Sequence, residues 1–152
     1  MRFVEGNFDD LQVIALLDAH VSRARAETGR GSAHALDSNG LRTPGIRFWT
    51  AWRDDSLLGM GALKTLSSDH GEIKSMHTAK RVRHQGVGQA ILMHIVGEAE
   101  KMGMARVSLE TGAWDYFIPA RAFYRRHGFV ECGPFADYNA DPNSVFMTRV
   151  FS

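Results

Sequence analysis

A chain of 152 residues, 44% of them apolar, has the length and composition of one domain with its own hydrophobic core. Eighteen Lys and Arg against seventeen Asp and Glu leave a net charge of +1, which gives no general attraction to nucleic acid or to an anionic membrane. The lone Cys132 excludes an intrachain disulfide and suits a reducing, cytoplasmic setting, and no apolar run is long enough to span a bilayer.

Residues 2–5 read as a strand, without the apolar core of a signal peptide. Asp9 or Asp10 caps a helix whose apolar residues Leu11, Ile14, Ala15 and Leu17 run toward Val21. Residues 28–45 are rich in Gly, Ser, Asn and Thr and read as a loop with one short helix around Ala33–Leu36. Ile46–Trp52 and Leu57–Leu66 form a hairpin about the turn Arg53–Ser56. On it Trp49 and Trp52 face opposite sides, one in the core and one at the surface or a pocket wall. After a turn over Ser67–Gly71, a third strand spans Glu72–Ala79. Alternation puts Glu72, Lys74, Met76 and Thr78 on one side of it and His77 on the other.

Gly88–Met102 is an amphipathic helix with the stripe Ile91, Leu92, Ile95, Val96, Ala99 and Met102, ended by Gly103. Ala105–Glu110 is a strand. Pro119 opens a helix through His127, closed by Gly128, with Phe129 placed for the contact beyond a glycine cap. Phe129–Cys132 and Ser144–Phe151 are final strands around the loop Pro134–Asn143. The order predicts a single-domain α/β fold, a mixed sheet flanked by helices. Cys132 follows an apolar run and reads as a small buried hydrophobe rather than a nucleophile.

The informative stretch is Arg83-His84-Gln85-Gly86-Val87-Gly88, between the third strand and the amphipathic helix. Its two glycines let main-chain N–H groups approach one anion, and the helix adds its positive N-terminal end, as a pyrophosphate site requires. A Walker loop needs Gly-Lys-Ser/Thr, but Gln89 and Ala90 follow Gly88. A dinucleotide fold needs a third glycine where Ile91 stands, and the hairpins before the loop do not suit a doubly wound sheet.

The pattern Arg/Gln-x-x-Gly-x-Gly/Ala, filled by Arg83, Gly86 and Gly88, resembles the phosphate loop of the GNAT N-acetyltransferases. Ala120-Arg121-Ala122-Phe123-Tyr124 running on to Gly128-Phe129 is similar to that family's second signature, and the order of elements matches from residue 2 to 151. The resemblance implies a mostly antiparallel acyl-CoA N-acyltransferase fold and acetyl-CoA as co-substrate, with no metal. The N–H groups of Gln85, Gly86, Val87, Gly88 and Gln89 would wrap the pyrophosphate, with Lys80, Arg81, Arg83 and His84 beside it. Met76, His77 and Thr78 would pair with the pantetheine arm, near Val82 and Phe123. The Met76 N–H would polarise the thioester. Tyr124 would protonate the leaving thiolate. Glu72, eleven residues before Arg83, would be the base, with Glu110 the runner-up. Phe117 stands where many members have an asparagine reaching the cofactor.

The resemblance leaves the acceptor open. A small-molecule amine is expected ahead of a protein or peptide amine, with Glu110, Trp114 and Phe117 in its pocket. A non-catalytic acyl-CoA-binding sensor or partner module is the alternative. His70, His77 and His84 recur every seven residues, but a strand, a loop and a turn separate them, so no metal site is expected. Exposed strand edges near the C-terminus leave room for a homodimer.

Overall fold

The computed structural model describes residues 1–27 and 36–151, together with the backbone but not the side chains of residues 25 and 27. The strands β1 (Arg2–Glu5), β2 (Ile46–Arg53), β3 (Ser56–Ser67), β4 (His70–Thr78), β5 (Arg106–Gly112), β6 (Val130–Cys132) and β7 (Ser144–Val150) form one sheet of order β1-β2-β3-β4-β5-β7-β6. Every neighbouring pair is antiparallel except β4–β5, whose parallel crossover is α3 (Val87–Lys101). Helices α1 (Leu11–Glu27), α2 (Ser38–Leu41) and α4 (Ile118–Arg126) complete the α/β fold.

Two cores sit on the two sheet faces. On one, Ile91, Leu92, Ile95, Val96 and Ala99 of α3 pack with Trp49, Leu63, Ile73, Val107 and Leu109. On the other, Val13 and Leu17 of α1 and Leu41 of α2 pack with Phe48, Trp52, Met60 and Ala62. Both tryptophans are therefore core, one per face, because helices cover both sides of β2. The buried stripe of α1 is Val13, Leu17 and Val21, whereas Leu11 and Ile14 are exposed. Asp10 is the N-cap, its Oδ1 accepting from the N–H of Gln12 at 2.8 Å and that of Val13 at 3.3 Å. The buried face thus keeps Leu17 and Val21 of the expected stripe and takes Val13 in place of Leu11 and Ile14. Met102 lies at the exposed end of α3, off its buried stripe. The helix expected around Ala33–Leu36 lies, except for Leu36, outside the described residues, and α2 follows it.

Two devices position the working face. Gly59 and Gly61 of β3 let α3 lie directly on the sheet: a Cβ on Gly61 would stand 2.6 Å from Ile95 Cδ1 and 3.0 Å from Met76 Sδ. The β4–β5 ladder holds only three pairs, His70↔Arg106, Gly71↔Val107 and Glu72↔Ser108. Beyond them β5 continues with β7 alone, so the remainder of β4 has a free edge and the two strands part.

Candidate active site

The loop before α3 combines left-handed backbone with exposed main-chain N–H groups. His84 and Gly86 both take left-handed backbone, at φ 65° and 82°, and His84, Gln85 and Gly86 are exposed. A Cβ on Gly86 would meet no protein atom within 4 Å, so this glycine answers to its φ and to the open space above it. The first helical N–H bonded back is that of Ala90, to the Gly86 carbonyl at 3.1 Å, so the N–H groups of Val87, Gly88 and Gln89 have no acceptor within the helix. Alternating backbone of this kind makes a concave nest of N–H donors, and the helix dipole adds to it. Around it, Gly88 brings α3 against the end of β4 and against α4, where a Cβ would lie 3.6 Å from both Thr78 Oγ1 and Phe123 Cζ.

Helix α4 presents Tyr124 through its C-terminal cap. Gly128, at φ 89°, closes a Schellman motif in which the Phe129 N–H donates to the Tyr124 carbonyl at 3.0 Å and the Gly128 N–H to the Arg125 carbonyl at 3.2 Å. The buried Phe129 ring then packs edge-on against Tyr124, centroids 5.7 Å apart. Burial raises the Tyr124 hydroxyl above the ordinary phenol range, so it keeps its proton at neutral pH. At the other end, the Arg121 guanidinium donates to the carbonyls of Gly112 at 2.7 Å and Trp114 at 3.3 Å, bolting α4 to the end of β5. Phe117 occupies the space a side chain on Gly112 would need, its ring 2.4 Å from the position of that missing Cβ. The ring is thus a packing element at the position where the resemblance led to the expectation of an asparagine. Trp114 is half-buried, and Tyr116 is exposed with the Arg23 guanidinium 5.8 Å above its ring.

Strand β4 departs from simple alternation. Ser75 takes φ 56°, and the register jumps from Ala62↔Lys74 to Met60↔His77, so Ser75 and Met76 together oppose Gly61. This bulge advances the phase by one residue. Glu72, Lys74 and His77 therefore share the α1 face, and Met76 turns its side chain to the α3 core. The expected grouping of Met76 and Thr78 with Glu72 is wrong for this reason, as is the expected separation of His77 from them. His77 Nδ1 lies 3.3 Å from Nδ1 of His20 on α1, and burial lowers both histidines to about 4, leaving a neutral pair.

Glu72 is buried and occupied. Its Oε2 accepts from the Tyr138 hydroxyl at 2.6 Å and from Lys74 Nζ at 3.2 Å, while Lys74 Nζ also donates to the Tyr138 oxygen at 3.0 Å. The carboxylate raises the Tyr138 hydroxyl well above the phenol range, alongside burial as the larger cause. Tyr138 comes from the loop between β6 and β7, which with Lys64 and Glu72 borders an open groove of about 470 Å³. Nothing in the sequence singled out this tyrosine, because it stands alone among polar loop residues with no period to betray it. Glu110 shares the same sheet face and is half-exposed. Burial pushes its carboxyl up to about 7, against the Ser144 hydroxyl donating at 3.1 Å and the nearby Lys74, with Glu72 and Asp141 adding to the rise. Cys132 is half-buried and burial raises its thiol, against the opposing charge of Arg106. His70 is spent on a buried chain to Ser108 at 2.7 Å and on to Thr148 at 2.8 Å.

The structure thus brings Thr78, Gly88 and Phe123 together beside the anion nest, and puts Glu72, Lys74, His77 and Glu110 on the opposite sheet face. Beyond Glu72↔Ser108, β4 and β5 are no longer paired.

Comparison with known proteins gives the family. Residues 13–129 match the model of the acetyltransferase (GNAT) family. The chain is 50% identical to the uncharacterized N-acetyltransferase YsnE of Bacillus subtilis, over 93% of this chain and 95% of that one. It is 43% identical to the uncharacterized N-acetyltransferase YedL of Escherichia coli, over 92% and 90%. Among solved structures, PaiA N-acetyltransferase of Thermoplasma acidophilum, in complex with coenzyme A, superposes with a TM-score of 0.73 at 17% identity, over 99% of this chain and 100% of that one.

Proposed function

The chain belongs to the GNAT acetyltransferase family and is an N-acetyltransferase, and from that premise we propose that it moves the acetyl group of acetyl-CoA to the primary amine of a small molecule, by direct attack in a ternary complex. The observation that carries the reading is the end of β4–β5 pairing after three pairs, with the N–H nest of α3 on one sheet face and an ionisable carboxyl on the other. The nest fits a pyrophosphate: it is exposed, its first-turn N–H groups are unclaimed within the helix, and Gly86 leaves the approach open. A coenzyme A complex of PaiA, a protein of the same fold, supports that choice of ligand.

Each chemical task has a residue suited to it. The free edge of β4 over Met76–Thr78 offers main-chain groups to an extended pantetheine arm, as an added strand would use them. The Met76 N–H polarises the acyl carbonyl. Glu110 takes the proton from the attacking ammonium, since a carboxyl near 7 is ionised in a useful fraction at neutral pH and still basic. The amine nitrogen then forms its bond to the acyl carbon as the carbon–sulfur bond breaks, and Tyr124 passes its proton to the sulfur. The high proton affinity of the Tyr124 hydroxyl is no obstacle, because a thiolate leaving into the same low-dielectric site is raised as well. Glu72 serves better as a clamp than as a base, with both of its hydrogen-bonding partners already in place.

A panel of amines with acetyl-CoA, read by released thiol, tests the activity, and calorimetry with coenzyme A tests the nest. Turnover of small amines with a saturable coenzyme A isotherm supports the proposal. Acetylation of peptides alone would move the acceptor to a protein amine, and no heat with coenzyme A would remove the site.

A further inference from the structure

Ser75 carries two costs that the fold does not require together. Its backbone is left-handed at φ 56°, where glycine, asparagine or aspartate would be at ease. Its Oγ is buried without any hydrogen-bond partner among the described residues. Glycine would relieve the first cost and abolish the second. A strained residue with an orphan buried hydroxyl marks a place where another molecule completes the structure. The place is specific: Ser75 lies on β4 beyond its last pair with β5, opposite Gly61 and next to Met76.

We propose that the Ser75 hydroxyl is a hydrogen-bond donor to the acyl oxygen of the thioester, a second donor beside the Met76 N–H, gaining strength as negative charge builds on that oxygen. The proposal rests on the acyl-CoA reading of the site. The bulge that turns His77 to the amine face and Met76 to the core would then have a chemical purpose as well, by bringing a side-chain donor and a main-chain donor from adjacent residues to one point. Tyr138 and Lys74 are committed to Glu72, so among these neighbours Ser75 alone has a donor with no acceptor.

Two variants and two readouts test it. S75A keeps the backbone strain and removes the hydroxyl, whereas S75G removes both. Isotope-edited infrared spectra of acetyl-CoA carrying 13C at the acyl carbon read the carbonyl directly. The bound band should sit at lower wavenumber than the free one in the wild type and return toward it in both variants. Both variants should lose about 10–100-fold in kcat, while their affinity for coenzyme A, which lacks the acyl oxygen, stays within about twofold. S75G should melt no lower than the wild type, which separates lost chemistry from lost folding. An unchanged carbonyl band, or kcat within about twofold in both variants, overturns the proposal. So does full activity in S75G with loss in S75A, which would assign the effect to backbone strain. If the wild type binds acetyl-CoA without acetylating any amine, the transferase reading fails, and the carbonyl band still decides Ser75.

Discussion

Glu110 and Glu72 are carboxylates on one sheet face with opposite surroundings. Glu72 has a hydroxyl and an ammonium within 3.2 Å, whereas burial outweighs what the Ser144 hydroxyl and the charge of Lys74 offer Glu110, and Glu72 and Asp141 add to the rise. The group whose carboxyl lies near 7 is the one that changes charge where an amine must be deprotonated. If Glu110 is the base, as proposed, its ionised form is the active one, so kcat/KM should rise with pH along a limb centred near 7 and flatten above it. In Glu110→Gln that limb should vanish and kcat/KM should fall by about a hundredfold or more, with coenzyme A affinity retained. Loss of the limb in Glu72→Gln instead would return the base to Glu72. Tyr124→Phe should lower kcat by about a hundredfold with little change in acetyl-CoA KM, measured under saturating amine. A change confined to KM would make the ring a packing residue.

At the scale of elements, two glycines make different demands. Gly128 supports Tyr124 through the Schellman cap of α4 rather than by contact with any ligand. Gly128→Ala would force a Cβ onto φ 89° and bring it within 3.4 Å of Arg149 Nε, at a cost of about 1–2 kcal/mol. In a chain of this size that is roughly 2–8 °C in Tm. Because the cap fixes the carbonyl of Tyr124, kcat should fall further than stability implies, and calorimetry alongside kinetics on one preparation checks both. Gly61 demands space instead. Gly61→Ala would press on Ile95, Ile91 and Met76 together, an overpacking worth about 1–3 kcal/mol, visible as a lower denaturation midpoint. An unshifted midpoint would mean that α3 moves off the sheet freely.

For the whole molecule, pH acts through its buried histidines. His20 and His77 lie near 4, below the usual value of 6.5, and burial also lowers His70 and His94. Between about pH 6.5 and 4 the unfolded chain binds more protons at these sites, so they add stability that is complete above pH 6.5 and lost as pH falls. Glu110 acts in reverse. Raised from 4.5 to about 7, it binds more protons when folded, and its contribution falls as pH rises through that window. Four histidines against one carboxyl predict that Tm increases from pH 4.5 to 6.5. His20→Asn should flatten the slope, and a slope that stays the same would clear the His20–His77 pair of the effect. No described helix is long and apolar enough to cross a membrane.

The chain's local chemistry was readable without coordinates. Gly86 and Gly88 mark the N-terminus of α3, and Pro119, Gly128 and Phe129 bracket the helix that carries Tyr124. These are properties of spacing and of which residues tolerate left-handed backbone, and both are written in the order of residues. Tertiary structure decided the rest. The Ser75 bulge reversed the sides of Met76 and His77, because a one-residue slip in a strand leaves no mark on composition or period. The surroundings of Glu72 and Glu110 were set by what the fold brought beside them: Tyr138 from a distant loop for the first, burial beside Ser144, Lys74 and Asp141 for the second. A carboxylate's proton affinity belongs to its neighbours in space, and those neighbours stand up to 66 positions away along the chain.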